Sequence, residues 1–328
     1  MKRLSILGAG SWGTALAIAL SPRFDLVRLW VFEPDLAAKM RETRENDVFL
    51  PGFQLPVNVE FLSDIADTLE GAEFVLGVMP SHHARRVYSA AVSALRPGMT
   101  LVSATKGLEN GSLLRITQVI QEVTGFPVAA LSGPTFAREV ARGEPTALVV
   151  ASQDERFANR VQSAFYGAKF RVYTNTDPVG VELGAALKNV IAIGAGVCAG
   201  LGLGSNSMAA LITRGLAEIT RLAVSMGANP LTMAGLAGLG DLVLTCTGEL
   251  SRNRTVGMEL AKGRKLDDII NGMRMVAEGV QTTYAAVELA ARHGVEMPIT
   301  SQMNAIFRDG KAPRDAIRDL MERSLRVE

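Results

Sequence analysis

The chemistry in this 328-residue chain is concentrated in a few charged side chains set among apolar ones. Lys188 stands in the first half of 181–206 (VELGAALKNVIAIGAGVCAGLGLGSN), with Asn189 beside it. An ammonium among Ala, Val, Ile and Gly loses hydration unless an anion or a polar group faces it. A lysine in such a place gives up its proton more readily, which suits proton transfer near neutral pH. Asp241 is the only charge in 235–246 (GLAGLGDLVLTC). It needs a partner as much as Lys188 does, with the opposite sign, so the two are natural partners; a purely stabilising buried pair is the other reading. Ser251-Arg252-Asn253-Arg254 comes next. Arg252 offers a planar fork suited to phosphate or carboxylate and Asn253 adds an amide, although such a run also reads as a solvated helix start. Lys106, in Thr105-Lys106-Gly107 past a strand end, is a cation for an anionic group or a solvated loop lysine. Glu278, in VAEGVQT, is ambiguous alone.

These groups need elements to position them. An apolar strand at 3–7 runs into GAGSWG, and a helix follows from Thr14. Strand, glycine turn and helix form the context that a G-x-G-x-x-G match requires. Gly8 permits the turn, Gly10 lets backbone approach a pyrophosphate, and Gly13 lets the helix pack on the strand. The helix N-terminus adds unpaired N–H groups for phosphate. A second strand, 27–32 (VRLWVF), is closed by Glu33, which lies 33 − 13 = 20 residues after the last motif glycine. An acidic side chain at that spacing accepts hydrogen bonds from ribose hydroxyls and repels a 2′-phosphate, which favours NAD over NADP; a solvated carboxylate is the bland reading. Further strands are expected at 74–79, 100–104, 128–131, 146–151 and 170–173, alternating with helices. That alternation predicts a doubly wound parallel sheet of the α/β class. Ser132-Gly133-Pro134-Thr135 reads as the entrance to a helix, whose N–H groups could hold an anion. His82 and His83 lie past a strand end but read as surface groups, and no chemistry is assigned to them. After Asp177-Pro178 the periodicity becomes helical, which places a dinucleotide-binding domain at 1–178 and an all-α domain at 179–328.

Bulk composition excludes several classes. Lys+Arg 34 against Asp+Glu 33 leaves no field for nucleic acid or an acidic membrane surface. Two cysteines and three histidines make neither a disulfide framework nor a metal site, so no metal is expected, and a cytoplasmic compartment is. No residue between Lys188 and Arg214 is charged, which is long enough to span a bilayer. Five glycines and several polar residues interrupt that run, which is read as a core helix broken near Gly202 to Asn206.

Across nearly its whole length the chain resembles the bacterial-type glycerol-3-phosphate dehydrogenases. The resemblance is carried by GAGSWGTALA, FLPGFQLP, SATKGLE, LSGPTFAREVARGEPTALVVAS, GAALKNVIAIGAGVCAGLGLGSNSMAALITRGLAE, GLAGLGDLVLTC, SRNR and VAEGVQT. It implies reversible hydride transfer between a nicotinamide cofactor and the pair glycerol 3-phosphate and dihydroxyacetone phosphate. It also implies supply of glycerol phosphate for phospholipids, and a homodimer. By matching motif, Ser11, Trp12, Lys106, Ala137, Arg252, Val276 and Glu278 would contact cofactor along with the loop glycines, and Phe32 and Glu33 would do so by their place after the second strand. Lys106, Gly133, Thr135, Asn189, Thr245, Ser251, Arg252 and Asn253 would contact substrate. Lys188 would be the general acid and base, with Asp241 supporting it. Many members carry basic residues after the second strand, suited to NADP; Phe32-Glu33 departs from that and agrees with NAD. Two alternatives stay open: a two-domain 3-hydroxyacid dehydrogenase acting on a carboxylate, and a non-catalytic dinucleotide-binding protein.

Overall fold

The computed structural model describes residues 2–273 and 277–324. The chain divides into two compact units, Met1–Glu182 and Leu183–Glu328. The first is built on eight strands: β1 (Arg3–Leu7), β2 (Leu26–Trp30), β3 (Val59–Leu62), β4 (Phe74–Gly77), β5 (Thr100–Ser103), β6 (Val128–Ser132), β7 (Thr146–Ala151) and β8 (Phe170–Asn175). They form one sheet in the order β3-β2-β1-β4-β5-β6-β7-β8. The helices between them are α1 (Ser11–Leu20), α2 (Pro34–Thr43), α3 (Ile65–Leu69), α4 (Ala84–Ala91), α5 (Ile116–Thr124), α6 (Ala137–Ala141) and α7 (Glu155–Phe165).

Alternation along the strands explains why both faces are covered, since successive side chains point to opposite sides. Phe74 and Leu76 of β4 enter one core cluster, with Leu4 and Ile6 of β1. Val75 between them enters a second cluster, with Leu7, Tyr88 and Ile120. The order reverses at β1, with β2 on one side of it and β4 on the other. The crevice outside the strand ends at such a reversal is where α/β sheets take ligands.

Two details differ from the sequence expectation. The sheet has a strand that the periodicity missed, β3, a four-residue edge piece (VEFL) too short for its alternation to stand out. The sheet is also not wholly parallel, since β6 and β7 pair antiparallel while β7 and β8 return to parallel. The five-residue α6 and the loop before it connect β6 to β7, and an antiparallel pair needs no long crossover.

The second unit holds helices and, among the described residues, no strand. They are α8 (Pro178–Gly200), which begins just before the boundary, α9 (Ser205–Ser225), α10 (Pro230–Met233), α11 (Asp241–Thr247), α12 (Arg252–Ala261), α13 (Leu266–Asn271), α14 (Glu278–His293), α15 (Pro298–Asp309) and α16 (Pro313–Met321). One π-turn, Leu236–Gly240, leads into α11. α8 is long and apolar enough to cross a membrane, yet most of it is buried inside the fold, as a core helix is. The apolar stretch Pro230–Thr247 passes the same test of length and composition, but it is made of α10, the π-turn and α11. α8 ends where the glycines were expected to break it, with Gly202 at φ +71°.

The small residues of α8 serve close packing. A Cβ on Gly196 would run into the carbonyl oxygen of Arg254, and one on Gly257 into that of Ile193. Backbone therefore touches backbone where α8 meets α12. That contact fixes the start of α12, and so Arg252 and Asn253, against the helix that carries Lys188.

Candidate functional site

In the first unit the glycine loop has the form a pyrophosphate needs. Gly8 sits at φ +118°, closed to other residues, and a Cβ there would strike the Val78 carbonyl. A Cβ on Gly13 would strike the Gly8 carbonyl, so α1 lies close on the loop. Gly10, by contrast, faces open space. It is the N-cap of α1 and no side chain caps it, so the N–H groups of Ser11, Trp12 and Gly13 are not taken by a capping side chain. The Trp12 Nε1–H is buried without a hydrogen-bond partner among the described residues. These features fit a dinucleotide phosphate group over Gly10.

One residue that braces this loop was missed in the sequence. Asn46, fully buried, donates from Nδ2 to the Ala9 carbonyl at 2.8 Å and to Thr14 Oγ1 at 2.9 Å. Its own Oδ1 accepts from the Phe49 N–H at 3.0 Å. The only signal was an asparagine opening a turn-rich loop, which normally marks a turn.

Phe32 and Glu33 lie past the end of β2, both exposed, with Glu33 the N-cap of α2. Lys106, past β5, reaches the Gly133 carbonyl at 3.1 Å and Thr135 Oγ1 at 3.4 Å. Thr135 also donates to the Gly133 carbonyl at 3.1 Å. Three residues expected at substrate therefore meet. Gly133 has φ +151° and packs on the backbone of Leu148, which leaves no room for a side chain. The helix expected after Thr135 starts at Ala137, and Gly133 to Phe136 form an irregular connection between β6 and it. Ala137 packs with Trp12 against the same core cluster.

In the second unit, Lys188 and Asp241 meet. Lys188 Nζ lies 2.5 Å from Asp241 Oδ1 and 2.7 Å from Thr245 Oγ1. Lys188 is 5% exposed and Asp241 1%. Asp241 and Thr245 are one turn apart on α11, so both side chains leave the same face. Thr245 donates to the Asp241 carbonyl at 2.6 Å, which turns its lone pairs to the lysine. The site thus holds an ammonium against a carboxylate and a hydroxyl in a nearly dry place, where electrostatic interactions are stronger than in water.

Beside it runs an amide relay. The Gly279 N–H donates to Asn253 Oδ1 at 3.0 Å, and Asn253 Nδ2 donates to Asn189 Oδ1 at 2.9 Å. Ser251 caps α12, its hydroxyl accepting from the Arg254 N–H at 3.2 Å. Arg252 opens that helix and Glu278 opens α14. Although Arg252 has exposed area, desolvation of its guanidinium pulls its pKa down, and the charge of Glu278 acts the other way. Val276, expected at cofactor, lies outside the described residues.

Two family models match the chain. Residues 3–158 match the NAD-dependent glycerol-3-phosphate dehydrogenase N-terminus, and residues 177–318 match its C-terminus. The chain belongs to that family. It is 60% identical to glycerol-3-phosphate dehydrogenase [NAD(P)+] of Koribacter versatilis, over 98% of both chains. It is 52% identical to the enzyme of that name from Geobacter sp. strain M21, over 100% of this chain and 99% of the other. The crystal structure of glycerol-3-phosphate dehydrogenase from Coxiella burnetii superposes with a TM-score of 0.94 at 40% identity, covering 98% of this chain and 99% of that one. As a family member the chain is an oxidoreductase with a Rossmann-like α/β sheet, an all-α second part and a nicotinamide dinucleotide as cofactor.

Proposed function

We propose that this dehydrogenase transfers hydride reversibly between NAD(H) and the pair glycerol 3-phosphate and dihydroxyacetone phosphate, with Lys188 as general acid and base. The observation that carries the reading is the buried Lys188 ammonium, 2.5 Å from Asp241 and 2.7 Å from Thr245. The nicotinamide supplies the hydride; the chain supplies the rest. As negative charge develops on the carbonyl oxygen, a nearby ammonium stabilises it and then donates its proton. Asp241 keeps Lys188 charged and oriented until that moment. Lys106, Gly133, Thr135, Asn189, Ser251, Arg252 and Asn253 are assigned to substrate, with Arg252 and Asn253 on the phosphate, the non-reacting handle whose binding positions the carbonyl.

In this reading residues 1–178 form the dinucleotide-binding domain and 179–328 the helical substrate and catalytic domain, each lending residues to the other's ligand. Gly8, Gly10, Ser11, Trp12, Gly13, Phe32, Glu33, Lys106, Ala137, Arg252, Val276 and Glu278 are assigned to cofactor, and Glu33 favours NAD over NADP. The product would feed phospholipid synthesis, and a cytoplasmic homodimer is the proposed form. A carboxylate substrate is less well served, because Arg252 and the Lys106–Gly133–Thr135 group are of types suited to phosphate. The test is NADH absorbance with dihydroxyacetone phosphate, against a panel of carboxylate analogues. Turnover of a carboxylate and none of dihydroxyacetone phosphate would overturn the assignment.

A further inference from the structure

α4 carries adjacent arginines used in opposite ways. Arg85 is pinned by two carboxylates, Nε to Glu109 Oε1 at 2.8 Å and Nη1 to Glu122 Oε1 at 3.0 Å. Arg86, about 100° further round the helix, is paired with no carboxylate among the described residues. Its guanidinium carbon lies 5.6 Å from the centroid of the Phe32 ring.

Phe32 is an unusual place to find a cation resting. It lies two residues past β2 and is 58% exposed. Trp30 supports it edge-on, with centroids 5.9 Å apart. An exposed ring held on one side and covered by a guanidinium is a stacking platform. A guanidinium over a ring keeps its in-plane N–H donors for oxygen acceptors, in the fork geometry that suits phosphate. The next residue, Glu33, stands where the ribose hydroxyls are expected. Arg86 therefore sits within one residue of the position that reads the ribose 2′ substituent.

Two imidazoles report on the local charge. His82 and His83 precede α4 with ring centroids 4.0 Å apart. Desolvation first, and the Arg86 charge after it, hold His82 below the usual imidazole range. His83 is lowered by desolvation, then by His82 and Arg86. Burial and the neighbouring guanidinium together disfavour extra positive charge here.

We propose that Arg86 receives the 2′-phosphate of NADP, so that a chain whose Glu33 favours NAD still takes the phosphorylated cofactor. This rests on the dehydrogenase reading above, with the dinucleotide on the Gly8–Gly13 loop. Glu33 opposes the added phosphate and Arg86 compensates, so cofactor preference is the balance of two side chains, one at the N-cap of α2 and one in the first turn of α4.

The test is equilibrium binding of 2′,5′-ADP and 5′-AMP, and of NADPH and NADH by their fluorescence, to wild type, Arg86→Ala, Arg86→Lys and Glu33→Gln. Arg86→Ala lowers the 2′,5′-ADP to 5′-AMP affinity ratio about tenfold, the size of one charge-assisted contact. Arg86→Lys restores most of the ratio, Glu33→Gln moves it the other way, and salt weakens the 2′-phosphate arm. An unchanged ratio in Arg86→Ala would overturn the proposal. So would an equal loss for both fragments, since Arg86 would then serve the adenine ring alone. Wild-type turnover of dihydroxyacetone phosphate is scored separately. Its absence beside a shifted fragment ratio would remove the substrate reading and leave Arg86 in place.

Discussion

Two buried ion pairs six residues apart on α8 show how differently similar sequence signals are used. Glu182 pairs with Arg115 in the first unit, Oε2 to Nη1 at 2.5 Å. The Thr117 N–H and hydroxyl complete its shell at 2.8 and 2.6 Å. Arg115 is itself the N-cap residue of α5, so the pair fastens the start of that helix to the start of α8. Lys188 pairs with Asp241 in the second unit and shares the ammonium with Thr245. An arginine cannot be deprotonated in a protein; a lysine can. The first pair can only hold structure, whereas the second can also hand over a proton. Residue type on the cationic side, not burial, separates a fastener from an acid and base.

That contrast can be broken in graded ways. Lys188→Arg keeps the charge and removes the exchangeable proton, so turnover falls by about 10²–10⁴, while NADH fluorescence still reports binding. Near wild-type turnover by this variant would end the proton-transfer assignment. Glu182→Ala leaves the mostly buried Arg115 without its partner and costs about 2–4 kcal/mol of stability, a little under the cost for a fully buried pair, read by denaturant titration, with turnover per folded molecule unchanged. A comparable loss of turnover there would show that the two pairs are not different in kind. Thr245→Val removes one of the bonds to Lys188 and lowers kcat about tenfold, the worth of roughly 1.4 kcal/mol in a buried charged hydrogen bond. Its signature is a shifted pH–rate profile rather than a changed thermal midpoint.

The smallest effect concerns a third buried carboxylate. Glu218 of α9 accepts the N–H groups of Ile299 and Thr300 at 2.6 and 3.2 Å, at the start of α15. Desolvation outweighs these bonds and raises its pKa above the ordinary 4.5. The folded state then holds the proton more tightly than the unfolded chain. Its stabilising contribution is full below 4.5 and declines as pH rises through the folded value. Thermal midpoints of wild type and Glu218→Gln between pH 4 and 7 check this, since the difference moves against wild type as pH rises. A difference that moves the other way would show that the N–H donors dominate.

Much of the architecture was legible because it rests on local, repeating signals. The Gly8-Gly10-Gly13 spacing, the apolar strands and the switch to helical periodicity after Asp177 each follow from backbone geometry that a short window contains. β3 was not legible, because four residues at a sheet edge carry too little alternation. Nor was the antiparallel β6–β7 pairing, which depends on how far a connection must travel. Within the candidate site, Asp241 was noticed as a lone charge in an apolar stretch, and Lys188 likewise. Glu182 is the same kind of signal six residues before Lys188, yet it passed unremarked, since nothing local tells its partner. Asn46 was unreadable for the same reason: its work is on Ala9 and Thr14, 37 and 32 residues away.

The sequence by itself determined the element types, the glycine turn and the need of each buried charge for an opposite one, because burial in an apolar run is costly wherever the partner lies. Which charge answers which was decided by packing. Lys188 and Asp241 lie 53 residues apart in the chain and 2.5 Å apart in space. Their meeting depends on the turn Leu236–Gly240, where a Cβ on Gly238 would strike Met233 and one on Gly184 of α8 would strike Ala237. Small residues at those contacts let α11 approach α8 closely enough for a carboxylate and an ammonium to touch.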